Sequence, residues 1–304
     1  MDKHKIYIGM GGWEFGGFNK LFYPSKMRTT SASGHRLEYY SRFFDSVEVN
    51  ATFYNAALTA EHSRRWLQEV SANKNFVFTV KLFRGFTHTF AATNDDVRSI
   101  RDLLEPIAAA EKLGGLLVQF PYSFTNTFEH GKYLLQFSRV FYPYRVFVEV
   151  MHNSWNTQPF CKLLQEHNLH LVNVDLPRIR QHIPFTNEAW GGAAYYRLMG
   201  RSGAGWSDGE RGNYCYTLRE LGSIAARIKS AMSKQPASAS AFVVFHNFAD
   251  YALNNGIQIR NFLERRTRVP RVTVHSLPAT ADLSPTPQHI VVPRLPLPLF
   301  AQAL

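Results

Sequence analysis

Eight short apolar runs, each followed by a segment of longer period, set the tightest limit on how this chain can fold. The runs are IYIGMGG (6–12), SVEVNATFY (46–54), FVFTVKL (76–82), GGLLVQF (114–120), RVFVEVM (145–151), HLVNVDL (170–176), AYYRLMG (194–200) and AFVVFHN (241–247). Each is rich in β-branched and aromatic residues without a polar face, the composition of a strand covered on both sides. Helical periodicity marks 35–44, 60–70, 95–113, 129–141, 159–168, 217–232 and 249–266, with Pro106 expected to kink or end a turn of the third. Between the sixth and seventh runs, PRIRQHIPFTNEAW reads instead as an irregular connection with a short helical turn.

Strands alternating with helices argue for parallel βαβ units. Eight of them fit a closed (β/α)8 TIM-type barrel over residues 1–268 better than an open doubly wound sheet. GMGGWEFGGF after the first run lacks the spacing of a dinucleotide-binding turn, which weakens the open-sheet alternative. Beyond residue 268 the character changes. Residues 269–304 hold seven of the fifteen prolines with no clear period, and read as a tail, extended or docked on the barrel or on a protein partner.

Composition narrows the functional classes. No apolar run approaches the ~20 residues of a membrane helix, and MDKHKIYIGMGG lacks an export signal. Cys161 and Cys215 are too few for a disulfide framework or a cysteine metal cluster. These features point to a cytoplasmic, soluble chain. The net charge of +11 favours anionic partners, small molecules or nucleic acid.

Catalytic groups in a barrel of this type sit at the C-terminal strand ends. Here those ends carry Glu48 and Asn50, Lys81, Gln119, Glu149, Asp175, Arg197, and His246 with Asn247. Tyr54, His88, His152 and Trp155 follow in the loops. Residues two apart share a face of a strand, so Thr79 with Lys81, Asn173 with Asp175, and Glu48 with Asn50 are same-face pairs. If these faces point inward, Lys81 or Arg197 lies across the mouth from Glu149 and offsets the cost of its burial. The plainer reading is a structural ion pair for Glu149, a turn cap for Asp175, loop bonds for Glu48 and Asn50, and packing for Trp155 and Tyr54.

The stretches IGMGGW, VEVNATFY, FVFTVKLFRGFTH, GGLLVQFPYSF, VFVEVMHNSW, YYRLMGR and VVFHNFADYALNN resemble the YecE-like family, also called domain of unknown function 72. The resemblance runs in order from about residue 6 to 266 and implies a TIM-type barrel, with no established activity. Carried over by position, it singles out Glu48, Asn50, Thr52, Phe53, Tyr54, Lys81, Thr87, His88, Gln119, Pro121, Glu149, His152, Ser154, Trp155, Asp175 and Arg197. The family pattern usually has Arg where Met151 stands, His where Met199 stands and Asn where His246 stands. The proline-rich tail lies beyond its usual extent.

The leading expectation is an enzyme at the barrel mouth acting on an anionic substrate, phosphodiester or phosphoester hydrolysis being the most concrete form. Glu149, Lys81 and Asp175 are the candidate catalytic residues. Arg197, Glu48, Asn50, Tyr54, His88, Gln119, His152, Trp155 and Asn247 are the candidate substrate contacts. No cofactor is expected. A divalent metal, if one binds, would take Glu149, His152, Asp175 and His246, although no HxH or HExxH spacing supports it. A covalent role for Lys81 needs a lowered pKa, and neighbouring carboxylates are expected to push it the other way. The alternatives are a nucleic-acid-binding module using Arg260, Arg265, Arg266, Arg268 and Arg271, and a catalytically decayed scaffold acting through its tail.

Overall fold

The computed structural model describes residues 4–14, 22–28, 35–179, 181–203 and 212–264. Eight parallel strands close into a barrel in chain order, β1 to β8. They are β1 (Lys5–Met10), β2 (Ser46–Val49), β3 (Val77–Lys81), β4 (Leu113–Gln119), β5 (Val146–Glu149), β6 (Leu169–Asp175), β7 (Ala193–Leu198) and β8 (Ser240–Phe245). The ring is shut by β1 against β8, in register from Lys5↔Ser240 to Met10↔Phe245.

Helices α1 (Arg36–Ser41), α2 (Ala51–Tyr54), α3 (Ala60–Glu69), α4 (Asn94–Ala109), α5 (Phe128–Val140), α6 (Gln158–Glu166), α7 (Leu218–Met232) and α8 (Ala249–Glu264) link and cover the strands. A shared device starts five of them. Thr59, Thr93, Thr127, Thr157 and Thr217 stand at the N-caps of α3 to α7 in extended backbone. A threonine hydroxyl there accepts a backbone N–H that the helix itself cannot satisfy. At Thr93 and Thr217 the partner is reciprocal, because Asp96 and Glu220 reach back to the capping residue. Pro106 lies inside α4, which runs on to Ala109, so it does not end the helix.

The second apolar run departs from expectation. SVEVNATFY is not one strand to residue 54; β2 stops at Val49, and Asn50 stands at the N-terminus of the short α2 without a side-chain capping bond. The connection between β6 and β7 also differs. Its described residues hold no helical turn, only isolated bridges at His182 and Trp190. Buried Asn173 ties that stretch down by accepting from the backbone N–H of Glu188 and from Thr186.

Alternation divides the strand residues between two cores. Outward residues pack under the helices in one large apolar layer. Inward residues Val77, Leu117, Phe147, Val172, Ala193, Tyr195, Phe242 and Val244, with Tyr7, fill the lumen. Tyr7 stacks on Phe242, and Phe147 packs against both Phe242 and Tyr195. No helix among the described residues is long and apolar enough to cross a membrane. The proline-rich tail lies outside the described residues.

Candidate active site

Above the lumen plug, the inward strand ends deliver one charged layer. Arg197 follows Tyr195 on the inner face of β7 and is 2% exposed; Glu48 and Glu149 are fully buried. Arg197 donates from Nε and Nη2 to the two oxygens of Glu48 at 3.0 and 2.9 Å, a bidentate pair. Its Nη1 donates to Glu149 Oε2 at 2.5 Å. Tyr195 donates to Glu48 Oε2 at 2.8 Å and lies 2.8 Å from the Thr79 hydroxyl. His246 Nε2 is 3.0 Å from Glu48 Oε1 and 2.9 Å from Arg197 Nη2. With its proton on Nε2, the ring donates to Glu48. The ring sits where only glycine leaves room: a Cβ on Gly11 would come within 2.1 Å of it.

The electrostatics follow from burial. Desolvation alone would raise Glu48, but Arg197, helped by His246 and Lys81, holds it well below the usual carboxylate range. Desolvation, reinforced by Arg197, lowers His246, so its imidazole stays neutral. Arg197 is the reverse case: burial opposes its charge, and Glu149 and Glu48 outweigh burial. One cation and two carboxylates leave this trio a single positive charge short.

Lys81 is placed to supply that charge. Its ammonium lies 3.9 Å above the Phe53 ring and, among the described residues, takes part in no hydrogen bond or ion pair. Glu48 and Glu149 do pull its pKa upward, as expected, but they do not decide the sign. Burial, with Arg197 adding to it, lowers Lys81 to about 8 against the upward pull of Glu48 and Glu149. Glu149 Oε1 and Asn50 Oδ1 are buried with no hydrogen-bond partner among the described residues. His88 stands beside this group, edge-on to Phe53 and hydrogen-bonded to Thr87, lowered to about 4 by burial and then by Lys81 and Arg84.

The structure thus brings Glu48, Lys81, Glu149, Arg197 and His246 together, with Asn50 and His88 at their edge. Gln119 pairs in register with Glu149 and donates to the Phe120 carbonyl. Tyr54, 74% exposed, packs edge-on to Phe53 at the outer rim.

Four candidates fall elsewhere. Asp175 shares its face with Asn173, and that face is the outer one. It accepts from Arg201 at 2.8 Å and from Tyr216 at 2.9 Å, and burial raises its pKa against Arg201. Trp155, 1% exposed, donates to the Phe124 carbonyl and packs on Phe124 and Phe160. His152 caps a turn by accepting from the Ser154 N–H. Asn247 donates to the Tyr214 carbonyl and to Asn255. The set Glu149, His152, Asp175 and His246 is therefore not assembled, and among the described residues no three His, Cys, Asp or Glu side chains gather as metal ligands. Sequence reading missed Tyr195, although its position two before Arg197 places it on the same face.

Of the basic stretch, Arg260 is spent inside the fold, on the Phe43 carbonyl and Asp45. The other four arginines lie outside the described residues.

Comparison with known proteins supports the same architecture. A solved DUF72 family protein from Thermotoga maritima MSB8 superposes with a TM-score of 0.74 at 26% identity, over 86% of this chain and 100% of that one. Another from Enterococcus faecalis V583 gives 0.72 at 23% identity, over 87% and 99%. The UPF0759 protein YunF of Bacillus subtilis (strain 168) is 27% identical over 281 residues, 85% of this chain and 95% of that protein. The model of the protein of unknown function DUF72 matches residues 7–281, from the first strand through the last helix, and on that match the chain belongs to the DUF72 family.

Proposed function

We propose that the chain is an enzyme acting on a small anionic substrate at the C-terminal mouth of its barrel. The observation that carries this reading is the contrast between two cations. Arg197 is saturated by Glu48 and Glu149, which makes it the internal counter-charge of the site. Lys81 has a desolvated ammonium with no hydrogen-bond acceptor. An anion arriving at the mouth supplies that acceptor, and a charge-assisted bond there is stronger than in water. Glu149 Oε1, also without a partner, accepts a proton from a substrate hydroxyl or an attacking water. Phosphoester hydrolysis is the simplest reaction of this type, with the water held at Glu149.

The test is calorimetric binding and turnover on a panel of phosphoesters and small carboxylates, comparing wild type with Lys81→Met. Methionine keeps an apolar stem against Phe53 while removing the charge. The expected result is binding by at least one anion that weakens about 10-fold or more in the variant, the weight of one charge-assisted bond. Equal binding by both proteins rejects the reading.

A further inference from the structure

Lys81 is arranged for more than holding a charge. We propose that its amine forms an imine with a carbonyl compound that carries an anionic group, a 2-oxo acid being the simplest class. The proposal rests on the mouth being where substrate sits, as read above, and narrows what that substrate is.

Three features of the layer support it. First, the Lys81 nitrogen is unencumbered: it packs on the Phe53 face and makes no hydrogen bond that attack would have to break. Second, its charged neighbours from every side leave the amine accessible as a free base. Burial disfavours its charge and Arg197 repels a second cation, together outweighing Glu48 and Glu149; His246 and His88 are both held neutral. A pKa of about 8 in place of 10.5 makes the free-amine fraction at pH 7 about 300-fold larger than for an ordinary lysine. Third, the trio of Arg197, Glu48 and Glu149 lacks one positive charge, and a protonated imine restores it at the same place as the resting ammonium. The carboxylate of a 2-oxo acid is bonded to the carbonyl carbon and so stays next to that iminium nitrogen.

The step balances. The Lys81 ammonium gives a proton to solvent at the mouth, and the free amine attacks the carbonyl carbon. A C–N bond forms while the C=O pair moves to oxygen. A proton taken back from solvent, with the second proton from nitrogen, lets that oxygen leave as water. The C=N bond then forms, carrying one proton on nitrogen. One ammonium and one carbonyl thus yield one iminium and one water, with no oxidant or reductant.

The experiment uses the full chain with pyruvate as probe and borohydride as the trap, read by intact mass and peptide mapping. One reduced pyruvyl group is expected per chain, on Lys81, and none on Lys81→Met or Lys81→Arg of unchanged circular dichroism. Trace acetic anhydride labelling of all lysines across pH is run beside it. Lys81 should become reactive near pH 8, and pyruvate should protect it. If no adduct forms on Lys81 while lactate or inorganic phosphate still protects it, the imine is refuted and the anion site survives. If neither pyruvate nor those anions protect Lys81, both readings fall together.

Discussion

Replacing Arg197 by methionine measures what holds the charged layer in place. The residue serves two fully buried carboxylates at once, bidentate to Glu48 and single to Glu149. Its removal leaves both without their main counter-charge. Breaking a buried pair in this way costs about 3–5 kcal/mol, because the orphaned charge stays desolvated. At about 2–4 °C per kcal/mol for a domain of this class, the midpoint of thermal unfolding should fall by about 6–20 °C at pH 7. The pH dependence gives a second handle. In the native protein Glu48 sits below its unfolded pKa, so its contribution is complete above that unfolded value and lost as pH falls through the lowered folded one. Without Arg197 burial dominates Glu48 and raises it instead, so acid neutralises the orphan and relieves the variant. Scanning calorimetry at pH 7 and pH 4 should therefore show the deficit shrinking at pH 4. A loss under about 2 °C, or a deficit equal at both pH values, refutes the view that this guanidinium compensates the two carboxylates.

Gly11→Ala should cost about 1–3 kcal/mol by driving a methyl into the His246 ring, and most of that cost should vanish in a His246→Ala background, as a double-mutant cycle would show. Asp175→Asn should lower thermal stability through its bonds to Arg201 and Tyr216 while leaving the pH at which Lys81 is acetylated unchanged; a moved Lys81 midpoint would place Asp175 in the mouth after all. Glu69 is raised to about 7, mainly by burial, with Glu14 and Glu38 opposing the relief from Arg65. Its folded pKa lies above the unfolded one, so the stability it lends below pH 4.5 is lost as pH rises through about 7. Carboxyl NMR should show that late midpoint, and Glu69→Gln should be the more stable protein at pH 8.

The barrel was legible because its signal is distributed. Eight buried runs and seven periodic segments repeat one unit, and no local error changes the closure they require. Even the threonine that opens each of five helices stands in the sequence just before its apolar period. The site was legible where alternation could be anchored. Glu48, Lys81, Glu149 and Arg197 each share a face with residues that fill or line the lumen, and the structure gathers them. Asp175 failed for the same reason run in reverse. Asn173 and Asp175 were rightly paired on one face of β6, but nothing in HLVNVDL says which face turns inward, since both sides of a barrel strand are covered. Trp155, His152 and Asn247 follow strand ends by two to six residues, near enough in sequence to suggest the mouth. Their side chains instead stitch loops to the helix layer, a choice made by tertiary partners such as Phe124 and Asn255. Lys81 shows a limit of another kind: the sign of its pKa shift depends on how burial compares with three nearby groups, Arg197, Glu48 and Glu149, and no spacing encodes that comparison.

The aromatic plug of Tyr7, Phe147, Tyr195 and Phe242 has a consequence for traffic. It stoppers the tube beneath the charged layer, so nothing passes from end to end. On the proposed function, a molecule bound at Lys81 enters and leaves on the charged-layer side of that plug. Widening the plug with a small residue at Phe147 would not open a second route without first undoing the floor on which Tyr195 stands.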